Sequence, residues 1–410
     1  LIGGFAGTET TLAERTAPAL NITNLSGAIG ASAHDDNSYT VVTVENASNQ
    51  TVIDGFTISR GANTALGVDS SGGGVRITNS LPVFRNTKFL NNTASIDGAG
   101  VYVRSGAPSF ANCLFYNNTL SLGAGAGLAV HADAQATVYN SQFIKNTAGS
   151  HGGAAQLYGS ARFVNTLFDG NAAPANGGAV NVSATAGARE FNHCTLVGNA
   201  ATGLGGAIHS DTNNQTFITN SIIYFNTDHA GAGSLKGNLS QFSVMHSAVQ
   251  LLQGGFTGFG NTTADPLFVD IDGPNNQFGD FDNDFRLRRG SPAIDAGSNA
   301  LLASDILDLN SNSVVGEAVP FDLLNQPRAR ATPYAPAYAG QPTVDMGAYE
   351  HQPTCPADVN EDGVVNFLDL NMVLTSYGAL APTADTDGDG QVTFVDLNAV
   401  LSAYGQQCAD

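Results

Sequence analysis

The residues best suited to chemistry lie near the C-terminus, where two twelve-residue segments repeat one spacing of oxygen-bearing side chains. The segments begin at Asp358 and Asp385, and each places oxygen atoms at positions 1, 3, 5, 9 and 12, with glycine at position 6. This is the pattern of a calcium-binding loop, in which a backbone carbonyl fills position 7. The predicted ligands are Asp358, Asn360, Asp362, Val364, Asn366 and Asp369 in the first loop, and Asp385, Asp387, Asp389, Gln391, Thr393 and Asp396 in the second.

Each loop precedes apolar residues at helical spacing, which predicts a short helix after each loop. The apolar positions are Leu370, Val373, Leu374 and Tyr377 in the first helix, and Leu397, Val400, Leu401 and Tyr404 in the second. Gly378 and Gly405 stand where the helices would end, because glycine accepts the left-handed backbone of a helix C-cap. Cys355 and Cys408 flank a compact unit whose ends should meet, so we predict a disulfide between them and an oxidising compartment.

The tandem loop–helix pair resembles a dockerin, the module through which extracellular bacterial proteins bind cohesins. The resemblance implies two bound Ca²⁺ ions, a secreted or cell-surface location, and a cohesin-like or other docking partner for residues 354–410. Loop positions 10 and 11, which often carry small hydroxyl residues for cohesin contact, are Phe367-Leu368 and Phe394-Val395 here. An apolar docking surface therefore fits the sequence as well as a cohesin does, and a further alternative is that calcium only folds this segment.

The composition argues against some partners. The chain has 35 acidic and 15 basic residues and a net charge of −20, which disfavours nucleic acid and anionic membranes. No run of residues is long enough to span a bilayer. The sequence begins at Leu1 and not at Met, so we interpret it as a mature or truncated chain from which any targeting segment is gone.

Residues 72–226 repeat with a period of 25 to 28 residues, which is typical of a solenoid. Each repeat has a glycine-rich arm and an arm that ends in asparagine. Short alternating stretches such as Val101–Val103, bounded by Gly, Asn or Pro, predict strands and not helices. Three short strands per repeat predict an all-β fold, a right-handed parallel β-helix, followed by the small α-helical module. The asparagines are Asn92, Asn118, Asn146, Asn171, Asn199 and Asn226.

Successive turns of such a coil lie about 4.8 Å apart, so equivalent residues stack on one another. We expect the asparagines to form an amide ladder. We expect an interior apolar column of Val75, Val101, Leu128, Val180 and Ile208, with Ala155 as a gap. Cys113 and Cys194 hold equivalent positions three turns apart, about 14 Å, whereas a disulfide needs Cα atoms within about 7 Å. They should therefore be free, buried thiols.

The glycine-rich and Phe-x-x-Asn repeats resemble those of bacterial polymorphic outer-membrane proteins, β-helical surface proteins to which an adhesive role is attributed. Ile53–Ile58 predicts an earlier turn, so we assign residues 1–231 to the repeats. Residues 232–353 are predicted to be closing turns and a capping segment. Segments 265–268, 290–297 and 344–350 support this assignment, because they resemble the closing part of secreted β-helix proteins with variable C-terminal anchors.

Many parallel β-helices are polysaccharide lyases or glycoside hydrolases, and a hydrolase needs a pair of carboxylates on neighbouring turns. The acidic residues of 62–235 do not fall in one column, so no catalytic residue is predicted. The column that follows the glycine arm carries polar and aromatic side chains that suit sugar binding, although an ordinary solvent-exposed face is the simpler interpretation. These residues are Tyr102, Arg104, His131, Gln156, Tyr158, Asn181 and His209.

Asp308, Asn310 and Asn312 repeat the alternate spacing of a calcium loop without its glycine, so they are candidate ligands of a further Ca²⁺.

Exposed strand edges at the N-terminal end of a β-helix are a template for another chain. If Leu1 is the mature N-terminus, we expect another copy of the chain to cover this edge head-to-tail, which would build a filament.

Two functions remain open from the sequence. The first is a non-enzymatic extracellular or cell-surface protein with an adhesive or structural role, displayed through its calcium-dependent dockerin-like module. The alternative is a polysaccharide lyase, a glycoside hydrolase or a carbohydrate-binding protein that the module recruits to a complex.

Overall fold

The computed structural model describes residues 1–18, 20–30, 36–64, 70–183, 187–211, 213, 215–252, 256–328, 343–351, 355–360, 362–379, 384–387 and 391–408. Three long sheets of parallel strands wrap around a single core, and two short helices follow them. This arrangement is a parallel β-helix with a small helical C-terminal module, as the repeat period and the helical spacing predicted.

Each turn passes through sheet 1, then sheet 2, then sheet 3. Sheet 1 consists of β2 (Val42–Glu45), β6 (Val75–Thr78), β10 (Val101–Val103), β14 (Leu128–Val130), β17 (Ala155–Leu157), β21 (Val180–Val182), β25 (Ile208–Ser210) and β30 (Leu235–Gly237). Sheet 2 consists of β3 (Val52–Asp54), β7 (Val83–Arg85), β11 (Ser109–Ala111), β15 (Gln135–Tyr139), β18 (Ser160–Val164), β22 (Arg189–Asn192), β26 (Thr216–Thr219) and β31 (Phe242–Met245). Sheet 3 consists of β1 (Thr23–Ser26), β4 (Phe56–Ser59), β8 (Lys88–Leu90), β12 (Leu114–Tyr116), β16 (Gln142–Ile144), β19 (Leu167–Asp169), β23 (Thr195–Val197), β27 (Ile222–Tyr224) and β32 (Ala248–Val249).

Shorter elements complete the described chain. Two-residue strands extend the turn after sheet 3, and an antiparallel pair lies in the closing segment. They are β5 (Ala62–Asn63), β9 (Thr93–Ala94), β13 (Thr119–Leu120), β20 (Ala172–Ala173), β24 (Ala200–Ala201), β28 (Thr227–Asp228), β29 (Gly231–Ala232), β33 (Phe268–Asp270) and β34 (Asp284–Leu287). The helices are α1 (Phe367–Ser376) and α2 (Phe394–Ser402), and single 3₁₀ turns cover Leu12–Glu14, Leu239–Gln241 and Asn299–Leu301.

The core is built from columns of like residues. The predicted column through Val75, Val101, Leu128, Ala155, Val180 and Ile208 is in register in sheet 1, and all six side chains are fully buried. Sheet 3 supplies a stack of phenylalanines, in which the ring centres of Phe115 and Phe143 lie 4.2 Å apart. Sheet 2 supplies a second stack, whose rings meet the first edge-on. Both arrangements are favourable for aromatic rings, so the stacks hold successive turns in register.

The asparagine ladder is also present. In each step Nδ2 of one asparagine donates to Oδ1 of the next, at 3.1 Å from Asn92 to Asn118 and at 2.9 Å from Asn118 to Asn146. The ladder continues in the same way to Asn226, and every member is fully buried. Buried amides are therefore satisfied by their neighbours in the stack and by backbone groups of the coil.

The corner between sheet 2 and sheet 3 is a tight turn that requires a left-handed residue. Asparagine fills this position in most turns, with φ between +46° and +54° at Asn86, Asn112, Asn140, Asn165 and Asn220. Asparagine tolerates this conformation better than other non-glycine residues. The side chains form a second amide column on the outside of the coil, here called the corner column, in which Asn112 Nδ2 donates to Asn86 Oδ1 at 3.4 Å.

The structure places much of the closing segment elsewhere than the sequence predicted. Residues 239–252 and 256–262 do close the coil, because Leu252 and Phe256 pack against its interior core. Residues 265–328 and 343–351 instead lie along the side of the coil, where their apolar side chains pack on the outer surface of sheet 3. Asn165 Nδ2 in the corner column donates to the Phe321 carbonyl at 2.6 Å, and Ala348 N donates to Thr195 Oγ1 at 2.9 Å. The prediction that this part caps the last turns is therefore wrong.

Cys113 and Cys194 are free and buried, as predicted. Each sulfur lies near backbone carbonyls of its own turn, and burial raises the pKa of both thiols to about 12. Both side chains therefore act as small core residues.

Candidate functional sites: the C-terminal loops and the outer face of sheet 1

The C-terminal module is a symmetric pair of loop–helix units, closed by a disulfide. Cys355 and Cys408 are bonded and their Cα atoms lie 5.7 Å apart. Val364 and Gln407 form an antiparallel bridge, so the two ends of the module meet. Val373 of α1 and Val400 of α2 are fully buried in a small core between the helices.

Local sequence explains how each helix begins. Asn366 Oδ1 accepts from the Leu368 N–H at 2.8 Å, and Asp369 accepts from the Asn366 N–H at 2.8 Å. Thr393 and Asp396 form the same reciprocal capping box at the start of α2. The residue at loop position 12 thus caps the helix and turns towards the loop at the same time. Gly378 and Gly405 adopt left-handed φ values of +79° and +86° after the helices, as predicted.

The second loop brings three predicted ligands together. Carboxylate oxygens of Asp385, Asp387 and Asp396 all lie within 4.8 Å of one another. Asp396 is fully buried and also accepts from the Thr386 N–H at 2.6 Å, which holds it in place. Carboxylate oxygens are the donors that Ca²⁺ prefers, so the described part of this loop fits the ion. Predicted ligand Asp389 lies outside the described residues.

The first loop gathers its predicted ligands around Asp362. The Nδ2 groups of Asn360 and Asn366 donate to Asp362 Oδ2 at 3.0 and 3.3 Å. The Val364 carbonyl, predicted for position 7, accepts from Asn366 Nδ2 at 3.0 Å. Asp369 closes the loop by accepting from the Asn360 N–H at 3.0 Å. Each predicted ligand carries an oxygen atom, the donor that Ca²⁺ prefers, and the two asparagines here direct their nitrogens at their neighbours in the loop.

Asp358, at position 1 of the first loop, joins the module to the closing segment. Arg289 Nη2 lies 3.3 Å from Asp358 Oδ2, and the Asp358 side chain is only 3% exposed. Asp358 also accepts from the Gly363 N–H at 2.8 Å, where φ is +93°. This ion pair is a direct contact between the first loop and the β-helix part of the chain.

The module exposes more apolar surface than the helical pattern predicted. Only Val373 and Val400 of the eight predicted apolar positions are fully buried. Eight large apolar residues of the module are between 50% and 65% exposed: Phe367, Leu368, Leu374, Tyr377, Phe394, Val395, Leu401 and Tyr404. The set is duplicated like the loops, with four members on each unit. An exposed apolar surface that is duplicated in this way is a candidate interaction site.

The further candidate calcium loop is partly assembled. Asn310 Nδ2 and Asn312 Nδ2 both donate to Glu317 Oε1 at 2.8 Å. Asp308 instead accepts from the Ser313 N–H at 3.2 Å. Glu317 therefore holds the two predicted asparagines, while Asp308 lies in a local turn of its own.

Three predicted sugar-binding residues on the outer face of sheet 1 bind one another. Gln156, Asn181 and His209 stand in register on β17, β21 and β25, and each is at most 3% exposed. Asn181 Nδ2 donates to Gln156 Oε1 at 2.9 Å, and Asn181 Oδ1 lies 2.9 Å from His209 Nδ1. His209 Nε2 is 3.1 Å from Asp211 Oδ2, while burial lowers the pKa of the imidazole. These side chains form a buried chain of contacts and leave little polar surface for a ligand.

The other four predicted residues of that face are more accessible. Tyr102, His131 and Tyr158 are half-buried, and Arg104 is exposed. Burial raises the pKa of Tyr158 to about 12, and the neighbouring Asp97 and Tyr102 add to this shift.

Asp97 belongs to this group, although sequence reasoning did not select it. Its carboxylate accepts from the Ala124 N–H at 3.1 Å, and burial raises its pKa while His131 opposes that rise. A signal was present in the sequence, because Asp97 and His151 occupy the same place before the glycine arm of their repeats.

Within the described residues, the only group of three acid, histidine or cysteine side chains with metal-site spacing is the one in the second loop.

Comparison with known families gives one match: residues 40–223 match the family described as right handed beta helix region. No curated protein and no solved structure matches the chain. Neither helix in the described part of the chain has the length and hydropathy of a membrane span. The matched residues cover most of the three long sheets, and the chain is a right-handed parallel β-helix repeat protein.

Proposed function

We propose that this chain is a non-enzymatic extracellular or cell-surface β-helix protein with an adhesive or structural role. Its residues 354–410 act as a calcium-dependent, dockerin-like module that attaches the β-helix to a partner. The observation that carries this proposal is the duplicated loop, in which Asp385, Asp387 and Asp396 converge at the start of a helix. An extended, regular coil suits display or contact, since its outer faces are long and flat.

The exposed apolar residues suggest how the module docks. Phe367-Leu368 and Phe394-Val395 begin the two helices and lie immediately before the loop residues Asp369 and Asp396. Calcium binding would therefore fix the part of the chain that carries these side chains. The expected partner is a cohesin-like domain that offers an apolar surface, because the small hydroxyl residues of the usual dockerin are replaced here.

Calcium binding can be tested by isothermal titration of the full chain. Asp387→Ala removes the carboxylate of an exposed predicted ligand that does not cap a helix, so we expect the number of bound Ca²⁺ ions to fall by one. Asp133→Ala is the matched control, because Asp133 is 87% exposed on the β-helix. Equal titrations of the parent and Asp387→Ala would contradict the calcium assignment.

Docking can be tested with a panel of immobilised bacterial cohesin domains, in Ca²⁺ and in EGTA. We expect at least one cohesin to bind the parent only in Ca²⁺, and the double substitution Phe367→Ser and Phe394→Ser to abolish binding. Leu81→Ser on the β-helix is the control, since Leu81 is also exposed. Failure of the whole panel to bind would exclude a cohesin-like partner.

The accessible group at Asp97, Tyr102, His131 and Tyr158 supports the alternative, a polysaccharide-active enzyme or a carbohydrate-binding protein. A carboxyl group with a raised pKa beside an imidazole and two phenols is suited to bind or cleave a sugar chain. Incubation with a panel of polysaccharides, followed by assays for reducing ends and for unsaturated products, tests it. Cleavage that Asp97→Asn abolishes would replace the non-enzymatic proposal with this alternative.

A further inference from the structure

The outer surface of sheet 3 is covered at both ends and open in the middle. At the N-terminal end, Pro18 and Ile22 lie over it, and at the other end the closing segment begins to cover it at Leu323. Between these walls is a groove of about 400 Å³. This volume lies within the range of about 300 to 1,000 Å³ typical of small-ligand sites.

The floor of the groove is a straight row of side chains from four successive turns. Thr57, Lys88, Leu114 and Gln142 are in register on β4, β8, β12 and β16. Three steps of about 4.8 Å make the row roughly 14 Å long. A row of this length matches two or three units of an extended chain of sugars.

The polar groups of the floor have no partner within the described residues. The Thr57 hydroxyl, the Lys88 ammonium and the Gln142 amide make no hydrogen bond or ion pair there, and all three are half-buried. The corner column forms one wall, and Asn140 also directs an Nδ2 group without a described acceptor. Partly desolvated donors without acceptors favour a ligand rich in oxygen, because each new hydrogen bond offsets a desolvation cost.

The charge of the groove is unusual for this chain, whose net charge is −20. Lys88 is the one charged residue among the described residues that line it. Asp54, which directly precedes the lining residue Gly55, is paired with Arg15, whose Nη1 and Nη2 donate to it at 2.8 and 3.2 Å. Lys88 is therefore free to attract a carboxylate of the ligand.

The groove offers the face of a sheet and not a strand edge, so it provides no backbone groups for pairing with a peptide. Leu114 on the floor and Pro18 and Leu323 in the walls supply apolar surface between the polar groups. Alternating apolar and hydrogen-bonding surface suits a pyranose ring, which has a C–H face and hydroxyl edges. We propose that this groove binds two or three residues of an acidic polysaccharide, with a uronate carboxylate on Lys88.

This proposal is independent of the docking role of the C-terminal module, and it concerns a surface other than the outer face of sheet 1. Titration calorimetry of the full chain with trigalacturonate and with its trimethyl ester tests it, because esterification removes the three negative charges and keeps the same sugar chain. We expect Lys88→Gln to weaken trigalacturonate binding about tenfold or more and to leave the ester unchanged. Gln142→Ala should weaken binding of both probes.

Lys236→Gln is the matched control, since Lys236 lies on β30 in sheet 1, away from the groove. Circular dichroism of each variant checks that the fold is intact. The proposal is overturned if neither probe binds at millimolar concentration, or if Lys88→Gln and Lys236→Gln weaken binding equally. Loss of binding in Tyr102→Ala, with none in Lys88→Gln, would place the saccharide on sheet 1 and also overturn it.

Discussion

Replacing Asn146 by alanine tests whether the buried amide ladder holds the coil together. Asn146 Oδ1 accepts from Asn118 N at 3.1 Å and from Asn118 Nδ2 at 2.9 Å. Its Nδ2 donates to the Phe115 carbonyl at 2.9 Å and to Asn171 Oδ1 at 2.9 Å. The substitution therefore removes one residue of the ladder and disturbs the turns on both sides.

The expected magnitude follows from the groups left without partners. Two N–H groups of Asn118 lose their acceptor in a fully buried position. Each unsatisfied buried donor costs about 1 to 3 kcal/mol, so we expect the free energy of unfolding to fall by about 4 kcal/mol. Asn117→Gly is the matched control, because Asn117 is a surface residue at φ +52° and glycine accepts that conformation. We expect the control to lose less than about 1 kcal/mol.

Guanidinium unfolding followed by circular dichroism measures both variants, and hydrogen exchange at the Asn118 amide reports the ladder locally. Exchange at this amide should accelerate in Asn146→Ala and stay slow in Asn117→Gly. If the two variants have equal free energies of unfolding, or if Asn146→Ala loses less than about 1 kcal/mol, the reasoning about the ladder is refuted.

Three further predictions concern buried and bridging groups. Burial raises the pKa of Asp169 from 3.8 to about 7, so its ionised form opposes folding, and stability from this group is lost as pH rises through 7. Asp169→Asn should therefore be more stable than the parent at pH 8, by at most about 4 kcal/mol, and Asn283 has a free Oδ1 that can accept from the new amide. In thermal melts this gain in stability should shrink as the pH is lowered towards 4. A gain that does not depend on pH would contradict the reasoning. Cys113 and Cys194 should resist a thiol reagent in the folded protein and react after denaturation, whereas rapid labelling of the folded chain would show that the core is open. Arg289→Ala removes the ion pair between the first loop and the closing segment, so limited proteolysis should release the C-terminal module faster. An unchanged rate would show that this ion pair does not hold the module.

The periodic part of this protein was predictable because its contacts recur at a fixed distance along the chain. Asn118 meets Asn92 and Asn146 since each lies one repeat away, and a period of 25 to 28 residues is visible in the sequence. The same reasoning placed Cys113 and Cys194 in one column, three turns apart, and kept them unpaired. The helix caps of the C-terminal module were predictable for a related reason, because they depend on neighbours a few residues away.

The closing segment was not predictable in the same way. It packs on sheet 3 through contacts that do not recur at a fixed spacing along the chain, such as the hydrogen bond between Asn165 and the Phe321 carbonyl. A signal was present in β27, where Ile222-Ile223-Tyr224 is apolar throughout although one-sided strands alternate, and all three residues are buried. The pattern indicates that the outer face is covered, but it does not say which segment covers it.

The sequence by itself determined the repeated coil, its stacked columns and the spacing of oxygen ligands in the two loops, since all three are local or periodic. Only the tertiary structure decided which polar side chains remain available. It buried Gln156, Asn181 and His209 against one another, and it left Lys88 and Gln142 open in a groove between two covering segments. The physical reason is that the exposure of a side chain depends on which non-repeating segment covers it. Such a segment is positioned by the fit between its surface and that of the coil, and the spacing of residues along the chain does not reveal this fit.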